Sequence, residues 1–157
     1  MKIVLLAIGK TDTAWLAEAI EEYRKRLKHY IPFEFTLIPD IRGVKNLSED
    51  QQKAKEGELL LKNLLPEDYC VLLDEKGRDF SSVEFASYIE KKTHTVSRRL
   101  VFIIGGPYGF SNEVYERASE KMSLSKMTFS HQMIRLFFIE QLYRAMTILR
   151  NEPYHHA

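Results

Sequence analysis

RLVFIIGG, residues 99–106, runs five apolar residues together and closes them with two glycines. A strand with one face in water alternates apolar and polar residues, whereas an unbroken apolar run is the pattern of a strand covered on both faces. KIVLLAIG (2–9) and DYCVLLDE (68–75) have the same character. Between such runs stand segments of helical spacing. The first has Leu16, Ala19, Ile20, Tyr23 and Leu27 on one face, with Thr11 or Asp12 placed to cap it. Pro32 and Pro39 bracket a short strand, FEFTLI (33–38), and Ser48 with Gln51 makes a capping-box pattern for a helix through about residue 63. After a turn at KGRD (76–79), Ser81 or Ser82 opens a helix through about Lys92.

Downstream of RLVFIIGG, Ser111 and Val114 mark a short helix, KMSLS (121–125) reads as a short strand, and a last helix spans about His131 to Arg150. His131 is read as the structural cap of that helix. Strand and helix thus alternate throughout, which predicts an α/β domain with a mostly parallel sheet and helices on both faces. On the last helix Ile134, Phe138, Leu142, Ala145 and Leu149 form one apolar strip, and Leu136, Ile139, Tyr143 and Met146 an adjoining one. Together they exceed the stripe of about 100° that packs on a sheet, so burial against a second subunit, as a symmetric homodimer, is expected. Arg135, Arg144 and Arg150 are read as solvated surface arginines.

Composition narrows the function. The 157 residues suit one domain, 1–157, and 23 Lys and Arg against 22 Asp and Glu exclude the strongly basic footprint of an autonomous nucleic-acid binder. A single cysteine, Cys70, leaves no internal disulfide and sits in an apolar run as a core thiol. The apolar part of the amino terminus is too short for an export signal or membrane span, which makes a cytoplasmic location the expectation.

Ligands of open parallel sheets bind beyond the carboxyl ends of the strands. Three loops stand there: LLDEKGRD (72–79), IIGGPYGFS (103–111) and SLSKMTFS (123–130). The GGPYG core permits close backbone approach to a ligand but is neither G-x-G-x-x-G nor a Walker loop; a structural turn and a ligand loop both remain open. Asp74, Glu75 and Asp79 interleave with Lys76 and Arg78, so a solvated turn is the simpler reading there. Leu73 reads either as core or as a surface for a flat heterocycle. Tyr154, His155 and His156 form an aromatic, titratable tail.

The order LLDEKG, FIIGGPYG, SLSKMTFSHQMIR, IEQLYRA and a PYH terminus resembles the RlmH family of SPOUT-class methyltransferases, over the whole chain. The resemblance implies S-adenosylmethionine-dependent methylation of N3 of a pseudouridine in large-subunit (23S) ribosomal RNA, with the assembled ribosome as substrate and a homodimer as the working unit. It also implies a carboxyl-terminal trefoil knot, which no periodicity predicts. Carried over by position, the cofactor contacts are Leu73, Gly105, Leu124, Ser125, Lys126, Met127, Thr128 and Phe129. Gly105 is then expected to be glycine because a Cβ would intrude on the ligand.

A sulfonium activates its own methyl group, so alignment is the main task and no metal is implied. The acceptor N3 must lose a proton; His155 is the candidate for proton removal or base positioning, Tyr154 for stacking or hydrogen bonding, and Arg144 for phosphate or base anchoring. Relatives commonly carry Arg or Lys after the Tyr-His pair, where this chain has His156 and Ala157. Two other readings remain: a catalytically inactive ribosome-associated binding protein, and a SPOUT methyltransferase acting on another RNA.

Overall fold

The computed structural model describes residues 1–156; Ala157, the end of the tail discussed above, lies outside them. The three apolar runs form the interior of a parallel sheet. β1 (Lys2–Ile8), β4 (Arg99–Ile104) and β3 (Tyr69–Asp79) lie side by side, with β2 (Phe33–Ile38) outside β1 and β5 (Glu120–Ser123) outside β3. All the pairings between neighbours are parallel.

Alternate residues of each run enter opposite cores, which is why the runs carry no polar positions. Ile3, Leu5, Phe102 and Ile104 face one side, where α1 (Ala14–Leu27), α3 (Ser82–Thr95) and α5 (Met133–Leu149) pack. Val4, Leu6, Val101 and Ile103 face the other, covered by α2 (Glu49–Lys62) and α4 (Asn112–Arg117). Phe102 anchors the first core, its ring 4.6 Å from that of Phe138 on α5 and 6.3 Å from that of Phe85 on α3. Cys70 is fully buried in the second core, and desolvation raises its thiol pKa, as befits an inert core residue.

The capping box of α2 is complete: Gln51 N–H donates to Ser48 Oγ at 3.1 Å, and Ser48 N–H to Gln51 Oε1 at 2.9 Å. Ser81 caps α3 in the same way, accepting from Glu84 N–H at 3.1 Å. Three local expectations fail. Neither Thr11 nor Asp12 caps α1; Thr13 holds that position without a side-chain cap. His131 does not cap α5 with its side chain; instead Ser130 Oγ accepts from Met133 N–H at 3.1 Å. KGRD is not a turn, for β3 continues to Asp79.

The extension of β3 has a steric reason. β3 pairs with β5 at Leu73, opposite Met122, and after a register shift pairs again at Arg78, opposite the same Met122. Residues 74–77 therefore bulge from the sheet at its carboxyl end. Gly77 allows the return, since a Cβ there would lie 2.5 Å from the Met122 amide nitrogen. The bulge carries Asp74, Glu75 and Lys76 to the wall of a cavity.

Arg135 overturns the surface reading. It is 0 % exposed, spaced with Phe138, Ile139 and Leu142 on the buried face of α5. Its guanidinium donates to the carbonyl of Ile8 at 3.0 Å, the carbonyl of His131 at 3.1 Å and the hydroxyl of Thr11 at 3.2 Å. Burial lowers its pKa, and Asp12 and Asp40 act against that only at a distance.

Candidate active site

Beyond the carboxyl ends of β3, β4 and β5 lies a cavity of about 580 Å³. That size falls in the range of small-molecule sites, and the place is the one where parallel sheets bind ligands. Leu73, Ile104, Leu124 and Ile134 give it an apolar lining, and Ser123, Ser125, Thr128, Ser130 and His131 a polar one. The structure brings the three loops together here. Of the eight residues expected to contact the cofactor, Leu73, Gly105, Leu124, Ser125, Met127, Thr128 and Phe129 line the cavity, and Lys126 does not.

The loop after β5 holds its own shape. Ser123 Oγ donates to the carbonyl of Ser125 at 2.7 Å, and Met127 N–H donates to Ser125 Oγ at 3.0 Å. These bonds engage the Ser123 and Ser125 hydroxyls within the loop itself. Met127 stands 77 % exposed, leaving its thioether free to cover an incoming ligand.

Gly105 has a reason the sequence does not disclose. A Cβ there would meet the Phe110 ring at 3.1 Å, so protein packing alone gives the residue a reason to be small. Behind the next glycine, Gly106, a Cβ would lie 2.4 Å from Glu56 Oε1. Glu56 is buried at 6 % exposure and that oxygen has no hydrogen-bond partner. Burial raises its pKa; Gln52 pulls it back and the charge of Asp40 adds to the rise.

The three proposed catalytic residues gather elsewhere, where the tail crosses α1 and α5. Tyr154 hydroxyl donates to Glu140 Oε1 at 2.9 Å and lies 3.2 Å from the Tyr23 hydroxyl. Burial, then those bonds, raise the Tyr154 pKa. Arg144 donates to Glu140 at 2.7 Å and stands 3.1 Å from His155 Nδ1. Burial opposes the Arg144 charge, yet the bond to Glu140 and its charge outweigh it and raise the pKa. A guanidinium can only donate, so Nδ1 accepts and the imidazole carries its proton on Nε2. None of the three lines the cavity. Ten residues of helix, about 15 Å, separate Arg144 from Ile134.

Sequence reasoning read Asp74 as solvated and Arg135 as a surface residue and did not single out Tyr115; Asp74 and Tyr115 stand in the cavity wall, and Arg135 fixes the carbonyl of His131 beside it. For Arg135 a signal existed, since it falls on the apolar face at three- and four-residue steps from Phe138 and Ile139. No group of three or more His, Cys, Asp or Glu among the described residues is arranged to hold a metal ion.

A family model described as "Predicted SPOUT methyltransferase" matches residues 1–155. Proteins named ribosomal RNA large subunit methyltransferase H are similar over nearly the full length. That of Parabacteroides distasonis is 71% identical and that of Phocaeicola vulgatus 63%, each over 156 residues and 99% of both chains. The protein of that name from Christiangramia forsetii is 62% identical over the same span. Among solved structures, a probable methylase family protein from Haemophilus influenzae Rd KW20 has a TM-score of 0.50 at 15% identity, covering 99% of this chain and 70% of that one. At that identity the likeness speaks to the fold alone. With a family model spanning the sheet, the three loops and the last helix, and full-length relatives well above half identical, the chain belongs to the SPOUT methyltransferase family.

Proposed function

We propose that this protein transfers a methyl group from S-adenosylmethionine to N3 of a pseudouridine in 23S ribosomal RNA, acting on the assembled ribosome. What carries the reading is the cavity at the ends of β3, β4 and β5, in a chain whose relatives are named for methylation of large-subunit RNA. Its volume, apolar floor and self-supported loop suit an adenosyl ligand, with Leu73 and Phe129 as apolar contacts and the 124–129 main chain as the polar edge. When bound, that ligand supplies an activated methyl on a sulfonium.

The protein's own residues then orient and deprotonate. A single chain leaves Tyr154 and His155 outside its cavity, so the proposal includes a homodimer in which the tail of one subunit reaches the cavity of the other. With its proton on Nε2, His155 first serves as a donor that positions the acceptor base, and it becomes a proton acceptor only if Arg144 releases Nδ1. Tyr154, held by Glu140, offers a ring and a hydroxyl to the base. Arg144 anchors phosphate or base. The family's trefoil knot, formed where the 124–132 loop threads back to α5, a single domain over 1–157 and a cytoplasmic location belong to the same proposal.

The test incubates purified protein and methyl-labelled S-adenosylmethionine with intact ribosomes and, separately, with isolated subunits. Label in pseudouridine of intact ribosomes alone is the expected result. Label in another RNA changes the substrate, and label nowhere leaves a binding protein.

A further inference from the structure

We propose that Asp74, fixed by Tyr115, is the acceptor that recognises the vicinal ribose hydroxyls of the methyl donor. This rests on the adenosyl-donor reading above and adds a specificity residue to it. Asp74 follows Leu73 at the point where β3 leaves its first pairing with β5. Both carboxylate oxygens are held. Oδ1 accepts from Lys76 N–H at 2.9 Å, and Oδ2 accepts from the Tyr115 hydroxyl at 2.5 Å. Burial, then the bond to Asp74, push Tyr115 up to about 12, so it remains a donor across working pH. Tyr115 is in turn set edge-on to Phe110 with centroids 5.8 Å apart, and Phe110 is the ring that Gly105 accommodates. Asp74, Tyr115, Phe110 and Gly105 all line the cavity.

A surface aspartate swings freely and pays entropy to bind; this one is already in place. A carboxylate offers about four lone-pair sites, of which the protein uses one on each oxygen. One acceptor per oxygen remains, side by side, a match for two adjacent hydroxyl donors. The donor's other polar end carries an ammonium, a rival for the same carboxylate. Lys76 lines the cavity beside Asp74, and Lys121 Nζ stands 5.5 Å from the Tyr115 ring centroid. Glu75 lines the wall between Asp74 and Lys76, so charge alone does not separate the two; the paired free acceptors of Asp74 are what favour two adjacent hydroxyls over a single ammonium.

Calorimetry decides, with S-adenosylmethionine, its 2′,3′-dideoxyadenosyl analogue and an analogue without the α-amino group, titrated into wild type, Asp74→Ala, Asp74→Asn and Tyr115→Phe. Wild type is expected to prefer the ribose form over the dideoxy form by about tenfold or more. Asp74→Ala should abolish most of that preference, and Tyr115→Phe, which keeps the carboxylate but frees it, should lose part. Asp74→Asn keeps the side-chain shape and serves if the alanine variant melts early. Undiminished ribose preference in both Asp74 variants overturns the proposal, as does a loss confined to discrimination at the amino group. If wild type takes up no S-adenosylmethionine, the adenosyl-donor reading fails first and this assignment falls with it.

Discussion

A guanidinium taken wholly out of water is expensive unless its donors are met. Arg135 meets that condition with two carbonyls and a hydroxyl rather than a carboxylate, and so ties the end of β1 to the start of α5. Arg135→Lys keeps the charge but replaces a planar fork by one nitrogen, which cannot serve three separated acceptors. A loss of about 2 kcal/mol is expected in urea unfolding, with weaker cofactor binding because the His131 carbonyl beside the cavity is released. Glu56 presents the opposite case, a carboxyl with a raised pKa and an unpartnered oxygen. Below the unfolded value, about 4.3, both states hold the proton and the group costs nothing. As pH rises toward the folded value only the unfolded state ionises, so stability falls and then stays lowered. Glu56→Gln removes that dependence, and its gain in melting temperature over wild type should be larger at pH 8 than at pH 5.

At the scale of elements, the apolar runs and the Ser48 and Ser81 caps were legible because each depends on neighbours in sequence, whereas the caps expected for α1 and α5 were misplaced. The bulge of β3 was not, because its cause is a strand some forty residues later: β5 approaches Gly77 so closely that charge-rich KGRD rejoins the sheet. The same applies to the wall of the site. Leu73 and the glycine loop could be placed beyond strand ends, but Asp74 looked solvated until Tyr115 from α4 supplied its partner. Gly77→Ala should force β5 away from β3 at a cost of about 1–3 kcal/mol. Circular dichroism melts would record it, and because the displaced strand leads into the 124–129 loop, cofactor affinity should fall with it. A variant as stable and as tightly binding as wild type would remove Gly77 from this account.

For the whole molecule, the breadth of the apolar surface on α5 is partly explained within the chain, where Phe138, Ile139, Leu142, Ala145 and Met146 are buried. Phe137 is not accounted for in that way; it stands 39 % exposed, its ring centroid 5.0 Å from that of Phe129 in the loop after β5. If that face meets a second subunit, Phe137→Glu should convert a dimer to a monomer in light scattering and abolish methylation, with cofactor affinity also reduced because Phe137 packs on Phe129. A monomeric wild type would instead break the link drawn between the tail and the neighbouring cavity. That link was out of reach of sequence physics, since periodicity reports how wide an apolar face is and not what lies upon it.

The bond from Arg135 to Ile8 joins the first strand to the last helix. Residue 135 is made long after residue 8, so the carboxyl end of β1 stays unsealed until α5 has been synthesised and has docked. The wall of the cavity at His131 is therefore completed only when the first and last elements of the chain meet, late in folding rather than early.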